Sequence, residues 1–211
     1  MHSISSGLLL PTIAVLLFML AVSVVELGSL LTEALTERRK MKVDVSGLLN
    51  AFQEQDIPGI TQEIESSQLF RRHKAAQLEL IEHRYLPAVS LQALARRLLA
   101  VEELHYVRIT NRTDLVTRLG PMLGLMATLI PLGPGLMALG EGDPKGLADA
   151  LLTAFDATVT GLTAGGIAYA VSRWRKRWYE DYLSTLESLM ESLTEVLEGG
   201  RGIEEKEPLE A

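Results

Sequence analysis

Residues 119–140, LGPMLGLMATLIPLGPGLMALG, and residues 150–172, ALLTAFDATVTGLTAGGIAYAVS, decide the fold of this chain. The first stretch has no charged side chain, and the second has one, Asp156. A third stretch, residues 7–25, is also uncharged. Because a helix needs about 20 mostly apolar residues to cross a bilayer, each stretch is long enough to span one. The pattern predicts three transmembrane helices, over residues 8–32, 118–140 and 148–172.

The composition is typical of a helical membrane protein. The 211 residues have a mean hydropathy of +0.18 but are also 22% charged, which requires the apolar residues to be segregated into blocks. Aromatic residues make up only 5%, and β-branched residues form no alternating runs. The net charge of −7 argues against a nucleic-acid partner. The absence of cysteine excludes disulfides and thiolate metal sites. We therefore expect an all-α membrane protein.

A signal peptide and a soluble helical bundle both fit the apolar stretches less well than membrane spans do. A secretory signal peptide would have a basic residue before its apolar core and a small-residue cleavage site after it, and the N-terminal block has neither. A soluble bundle with fully buried helices is the alternative, but three such stretches are rare in a chain of this length.

Lysine and arginine placement predicts the orientation in the cytoplasmic membrane, because cytoplasmic loops are enriched in basic residues. Basic clusters follow the first span, precede the second and follow the third, whereas the turn over residues 141–147 has only Lys145. We expect residues 1–7 to be extracytoplasmic, and residues 33–117 and the C-terminus to be cytoplasmic. The clusters are Arg38, Arg39, Lys40 and Lys42; Arg108, Arg112 and Arg118; and Arg173, Arg175, Lys176 and Arg177.

The cytoplasmic insert is predicted to be helical. One helix is expected over Ile60–Arg84 and a second from Ala88 to about Tyr106, separated by a break at Pro87. Residues 43–59 are expected to form a loop.

The segment after the third span has apolar residues at heptad spacing, which predicts a cytoplasmic helix over residues 173–198. This seam fits either contact between subunits or packing on the insert of the same chain. The glycines at 199–202 are expected to end the helix, and the acidic tail 199–211 is expected to be disordered. The seam residues are Tyr179, Tyr182, Leu186, Leu189, Leu193 and Val196.

No motif of a soluble enzyme is present. The sequence lacks a phosphate-binding G-x-x-x-x-G-K-[ST] loop, an H-E-x-x-H zinc motif and a G-x-S-x-G nucleophile motif. The four histidines lie outside the spans, and His73 and His83 are ten residues apart, too far along one helix to share a metal. We expect these histidines to be solvated at the surface, and we expect no enzyme activity, metal or cofactor.

Polar residues inside the third span are the strongest sign of function, because polar groups in lipid usually face protein or water. Thr153, Asp156 and Thr160 share one helix face, and Thr158 lies nearly opposite Asp156. A threonine-lined passage could hold a chain of water molecules. Alternatively, each hydroxyl donates to a carbonyl of its own helix, and Asp156 is protonated and structural.

Small residues predict close packing between the second and third spans. Gly120 and Gly124 lie in the second span, and Ala157, Gly161 and Gly165 follow each other at four-residue spacing in the third. Small side chains at such spacing allow helix backbones to approach closely in membranes.

Glu26 lies near the inner end of the first span. Its carboxylate can extend to the interface, pair with a basic residue of a neighbour or contact a partner protein, and extension to the interface is the default. It is kept as a candidate site residue together with Thr153.

The second and third spans resemble the signatures of a known family. RLGPMLGLMAT, residues 118–128, resembles the second-span signature of the MotA/TolQ/ExbB proton-channel family, and ALLTAFDATVTGL, residues 150–162, resembles its third-span signature. The predicted topology is similar to the three-span TolQ/ExbB branch, with a large insert after the first span and a helical tail.

The resemblance implies a function and a set of partners. In that family, five copies surround a dimer of a single-span, ExbD/TolR/MotB-like partner whose membrane Asp accepts protons. Threonines of the second and third spans line the route near that Asp, and by motif position these are Thr128 and Thr158. We add Asp156 and Thr160 to the candidate ion pathway, and we expect membrane lipid around the assembly.

The chain departs from the family pattern at several positions. Ala127 replaces the glycine before the second-span threonine, and Pro131 replaces the glycine three residues after it. The proline of the third-span signature is missing, and Thr153 stands where an acidic residue is common. Asp156, one turn deeper, could compensate. These changes predict a divergent subgroup and leave the transported ion, H⁺ or Na⁺, open.

The leading hypothesis is a pentameric stator-type ion channel subunit, which couples ion flow to mechanical work together with its single-span partner. The alternative is a non-conducting membrane scaffold that recruits cytoplasmic partners, and it predicts no ion flux with any partner. A solute transporter is disfavoured because the three spans contain no inverted repeat.

Overall fold

The computed structural model describes residues 2–36 and 44–204, with side chains over residues 7–35 and 44–199. Within these ranges the chain forms α-helices joined by short connections, and no strand occurs there. The prediction of an all-α fold is confirmed. In chain order the helices are α1 (His2–Thr36), α2 (Val45–Glu54), α3 (Ile57–Ser66), α4 (Arg71–Glu82), α5 (Ala88–Gly140) and α6 (Pro144–Glu204).

Three of these helices are long and apolar enough to cross a membrane, namely those containing Gly7–Leu35, Ala88–Gly140 and Pro144–Gly199. They contain the three predicted spans, so the chain is a multi-pass membrane protein. The chain divides into two compact units. The first contains Met1–Glu33 and Ile109–Lys176, and the second contains Ala34–Arg108 and Arg177–Ala211.

Small and aliphatic side chains hold the first unit together, between α1 and the membrane-spanning parts of α5 and α6. Because alanines supply much of this contact, the three helix backbones can lie close together. Ser23 adds a polar contact, since its hydroxyl lies 2.9 Å from the carbonyl oxygen of Ala164 on α6. The two buried clusters are Met19, Val116, Ala164 and Ala168, and Leu16, Ala127 and Ala157.

A tight turn joins α5 to α6. Gly142 has a φ of +84°, a left-handed conformation that glycine adopts without a steric penalty. Asp143 then caps α6, because its side chain accepts a hydrogen bond from the Gly146 backbone N–H at 3.0 Å. Pro144 begins the helix, a position where the missing N–H costs nothing. The turn is therefore shorter than the predicted residues 141–147.

The second unit has its own apolar core, in which the heptad seam of α6 packs against α2, α3, α4 and α5. Leu186, Leu189 and Leu193 are fully buried there with Phe52 and Leu80. Burying each such side chain stabilises the unit by about 1.5–3 kcal/mol. The seam therefore packs on the insert of the same chain, and contact between subunits stays a prediction. The core comprises Leu48, Phe52, Ile60, Ile64, Leu69, Leu80, Ile81, Leu91, Ala95, Leu186, Leu189, Met190, Leu193 and Leu197.

The prediction of a loop up to residue 59 is wrong. Asp44 caps α2 by accepting a hydrogen bond from Gly47 N at 3.0 Å, and Asp56 caps α3 by accepting from Gly59 N at 3.1 Å. Aspartate at such a position satisfies a backbone donor at a helix start. These two aspartates are therefore helix-start signals within the segment predicted to be a loop.

The single helix expected over Ile60–Arg84 is also interrupted. Its first part ends at Ser66, and the Ser67 hydroxyl donates to the Ile64 carbonyl oxygen at 2.6 Å. Such a local side-chain hydrogen bond competes with helix continuation. The chain resumes as α4 at Arg71.

Two helix ends expected from the sequence do not occur. The helix expected to stop near Tyr106 continues in α5 to Gly140, since no proline or glycine interrupts residues 107–119. The glycines at 199–202 do not end α6, which continues to Glu204. The rest of the predicted disordered tail, and the basic cluster within residues 38–42, lie outside the described residues.

His73 is buried in the second unit, which corrects the expectation of a solvated histidine. It is 1% exposed, and its Nε2 lies 2.9 Å from the Tyr106 hydroxyl oxygen. Burial lowers the pKa of His73 to about 4, although the Glu102 carboxylate opposes this shift; Arg72 adds to it. His83 is exposed, as expected.

We expect the second unit to lose stability as the pH falls from about 7 to about 4.5. The unfolded histidine takes up a proton near pH 6.5, whereas the folded His73 does so only near pH 4, so protonation between these values favours unfolding. Neutral His73 contributes its full share to the free energy of unfolding above pH 6.5. The part of that free energy that is lost approaches roughly 3 kcal/mol near pH 4. Hydrogen exchange of the α4 amides, corrected for intrinsic rates, measures it.

Two histidine variants separate this effect from general acid unfolding. His73→Gln cannot gain the charge and should flatten the pH profile of the free energy of unfolding. His83→Gln, at an exposed position, should leave the profile unchanged. An equally steep profile in His73→Gln would show that another group is responsible.

Candidate functional site

The backbones of α5 and α6 approach most closely at glycines. A Cβ atom on Gly161 would lie 2.6 Å from the Gly120 carbonyl oxygen and 2.8 Å from the Gly124 Cα atom. Real Cβ contacts are longer, so a larger residue fits only if a helix moves. The small residues predicted to pack the second and third spans all lie at this contact. They are Gly120, Gly124, Ala157, Gly161 and Gly165.

Thr128 and Thr158 lie close to the glycine contact. The Thr158 carbonyl oxygen would lie 3.5 Å from a Cβ on Gly124, and Thr128 follows Gly124 by one helical turn. Thr158 donates its hydroxyl proton to the Ala154 carbonyl oxygen at 3.0 Å, and Thr128 donates to that of Leu125 at 2.6 Å. Both residues therefore have the alternative geometry given above, in which the hydroxyl donates to a carbonyl of its own helix. Each hydroxyl oxygen keeps lone pairs that can accept a further hydrogen bond.

A groove of about 270 Å³ between α1 and α6 contains the other polar candidates. Asp156 is exposed in it, with Thr153 and Thr160 about one turn to either side. Asp156 and Thr158 are two residues apart and hence roughly 200° apart around the helix. The predicted pathway residues of α6 therefore lie on different faces of that helix, with Asp156 and Thr160 on one and Thr158 on another. The α1 side of the groove is Ile13, Leu16 and Leu17.

An ion-pair cluster joins α1 to α6 within the first unit. Arg175 is only 3% exposed. Its guanidinium nitrogens lie 2.5 Å from Glu26 Oε2, 2.9 Å from Ser29 Oγ and 3.3 Å from Glu33 Oε2. Glu26 thus pairs within its own chain, which corrects the default expectation that it extends to the interface.

The sequence contains a signal for this cluster that is invisible when each residue is taken singly. Glu26, Ser29 and Glu33 follow spacings of three and four and therefore share one face of an otherwise apolar helix. A polar stripe on such a helix requires a buried partner. The sequence does not distinguish Arg175 from the other basic residues that flank the spans on the same side.

A second polar cluster joins α5 to α6. Asp114 accepts hydrogen bonds from Ser172 and from Lys176, whose Nζ lies 2.6 Å from Asp114 Oδ2. Ser172 and Lys176 are four residues apart and so share a helix face. Together with the Arg175 cluster, this contact connects α6 to both other helices of the first unit.

Comparison with known proteins gives one result. A family model described as the MotA/TolQ/ExbB proton channel family matches residues 62–188. This range is more than half of the 211 residues and includes the glycine contact, Thr128 and Thr158. No curated protein matches the chain significantly. The resemblance inferred from the two span signatures is confirmed.

Proposed function

This chain belongs to the MotA/TolQ/ExbB proton channel family, and from that premise we propose that it is a subunit of a stator-type ion channel. Five copies surround two copies of a single-span partner, and ion flow through the complex drives mechanical work. The partner supplies a membrane Asp that takes up and releases the ion. The chain lies in the cytoplasmic membrane with its N-terminus outside, since its basic clusters flank one side.

The glycine contact between α5 and α6 is the observation that supports this proposal most. Because Gly120, Gly124 and Gly161 bring the two backbones together, the helices form one closely packed pair. Thr128 and Thr158 lie on these two helices, each within about one helical turn of a contact glycine. Five such pairs around a partner would present the same two hydroxyls to it at each step.

The hydrogen bonds of these hydroxyls suggest which form of the partner's carboxyl they favour. In this geometry both hydroxyls donate to carbonyls of their own helices, so Thr128 and Thr158 present their lone pairs as acceptors. A protonated carboxyl or a water molecule can donate to them, whereas an ionised carboxylate cannot. The pathway therefore favours the partner Asp in its protonated form, which is the form that crosses the apolar part of the membrane at the lowest cost.

The membrane potential sets how much work each ion can supply. One elementary charge gains about 2.3 kcal/mol per 100 mV. A conformational step that costs more than this needs several ions. Five equivalent subunits passing the partner in turn would divide the work into such small steps.

We expect Thr158→Val to abolish partner-dependent proton flux while the complex still assembles. Valine keeps the branched shape but removes the accepting oxygen, so the partner's carboxyl loses a hydrogen-bond acceptor. The measurement uses the complex purified with its native partner, reconstituted in liposomes and monitored with an internal pH dye under an imposed potential.

Thr185→Val is the matched control. Thr185 lies on the same helix and donates to the Asp181 carbonyl oxygen at 3.0 Å in the same way, but it lies outside the spans. Its flux should equal that of the unmodified complex. Unchanged flux in Thr158→Val contradicts the role given to that hydroxyl, and flux of neither H⁺ nor Na⁺ through the unmodified complex favours the non-conducting scaffold.

A further inference from the structure

Basic side chains of two helices meet at one end of the membrane spans in the first unit. Lys176 of α6 and Asp114 of α5 form an ion pair, in which Nζ lies 2.6 Å from Oδ2. On α5, the exposed Arg118 follows Asp114 by one turn. On α6, the exposed Arg173 precedes Lys176 by three residues. Residues three or four apart share a helix face, so three cations lie around this ion pair.

The cations outnumber the carboxylates at this surface. The nearby Glu26 and Glu33 already pair with the buried Arg175. The ion pairs of the described residues leave Arg118 and Arg173 without a carboxylate partner. An excess of positive charge at the surface attracts an anionic ligand.

On α6 an exposed apolar stripe continues from Arg173 into the third span. Tyr169 and Leu162 lie four and eleven residues before Arg173, and both are more than half exposed. These spacings keep the three residues on one helix face. Gly166 leaves space beside the stripe, since a Cβ atom there would have nothing within 4 Å. The stripe extends about 16 Å along the helix, which is about half the thickness of the hydrocarbon core of a bilayer.

A matching stripe on α5 continues from Arg118 into the second span. Met122 and Leu125 follow Arg118 at four and seven residues, and both are more than half exposed. Because α5 and α6 are joined by a tight turn and run antiparallel, both stripes extend from the cations towards the middle of the membrane. The surface thus has a cationic end and an apolar body, as the complement of an anionic lipid.

From this combination we propose that Arg118, Arg173 and Lys176 bind the phosphate of an anionic phospholipid, whose acyl chains lie on the two stripes. Guanidinium groups match phosphate oxygens with several donors, and negative headgroups attract basic residues next to a span. A second copy of this chain would bring further arginines to the same end, whereas a phospholipid supplies negative charge and covers the apolar surface. The site depends on the membrane location of the helices and not on the partner or on ion flow.

Native mass spectrometry of retained lipids tests the site in the full chain. The chain is reconstituted in nanodiscs with equal amounts of phosphatidylglycerol and phosphatidylcholine that have the same acyl chains, and it is released with its bound lipids. We expect retained phosphatidylglycerol to exceed retained phosphatidylcholine at least about fivefold. Equal retention of the two lipids overturns the proposal.

Two double variants with the same change in net charge separate this site from general attraction. Arg118→Gln with Arg173→Gln should lower the ratio of the two retained lipids at least about fivefold and leave retained phosphatidylcholine unchanged. Arg97→Gln with Arg112→Gln removes two other exposed arginines and should keep the ratio of the unmodified chain. Arg112 lies roughly 120° from Arg118 around α5. An equal loss of phosphatidylglycerol in both double variants overturns the proposal.

A competition arm distinguishes a bound lipid from a bound phosphate ion. An excess of inorganic phosphate should leave the retention of phosphatidylglycerol equal to that in chloride of the same ionic strength, because only the lipid also covers the apolar stripes. Loss of the lipid in phosphate but not in chloride would show that the arginines bind a free phosphate ion, and it overturns the lipid assignment.

Discussion

Gly161→Ala should disrupt the packing of α5 and α6, although it adds only one methyl group. The new carbon would lie 2.6 Å from the Gly120 carbonyl oxygen and 2.8 Å from the Gly124 Cα atom. Both are backbone atoms, so no rotamer change can relieve the clash. Overpacking costs typically 1–3 kcal/mol and more where a backbone must move, so we expect a loss of about 3 kcal/mol or more in the free energy of unfolding.

Gly166→Ala is the control for this substitution. Gly166 lies on the same helix, and a Cβ atom there would have nothing within 4 Å. Because alanine is the better helix former, this variant should be neutral or more stable by up to about 1 kcal/mol. Unfolding of the purified variants, followed by helical circular dichroism, compares them. Equal stability of the two variants would contradict the close helix contact.

Arg175→Met should have the second large effect. It removes the cation that contacts Glu26, Ser29 and Glu33 and leaves two carboxylates that are 18% and 15% exposed. Breaking a buried ion pair by removing one partner costs about 3–5 kcal/mol, because the remaining charge is buried without compensation. The same unfolding measurement should show a loss in this range.

Neutralising the carboxylates should reverse much of this loss. In the triple variant Arg175→Met, Glu26→Gln, Glu33→Gln the cluster has lost all three charges, and replacing a whole buried ion cluster with neutral groups is often tolerated. Arg173→Met, at an exposed position of the same helix, should change the free energy of unfolding by less than about 0.5 kcal/mol. An Arg175→Met protein as stable as Arg173→Met would contradict the structural role of the cluster.

The membrane-spanning helices could be predicted from sequence because a lipid environment imposes a simple pattern. A span requires about 20 apolar residues, and close packing without bulky side chains requires small residues at regular spacing. Gly120, Gly124, Gly161 and Gly165 satisfy the second condition, and the structure has them at the helix contact.

Features that depend on which helix faces meet were not predictable in the same way. Glu26 had several possible partners, and only the arrangement of α1 against α6 selects Arg175. His73 has a mostly polar sequence neighbourhood, and in the structure its ring contacts Phe70 and Tyr106. The helices that begin after Asp44 and Asp56 were not predicted, because aspartate and glycine occur both in turns and at helix starts.

Native mass spectrometry of the tagged protein, extracted gently from the membranes of its own host, tests the central claim most directly. If the chain is a stator-type channel subunit, the complex contains five copies together with two copies of a small single-span protein that has an Asp in its span. A monomer, or a stable complex with cytoplasmic proteins only, would contradict the claim and favour a scaffold.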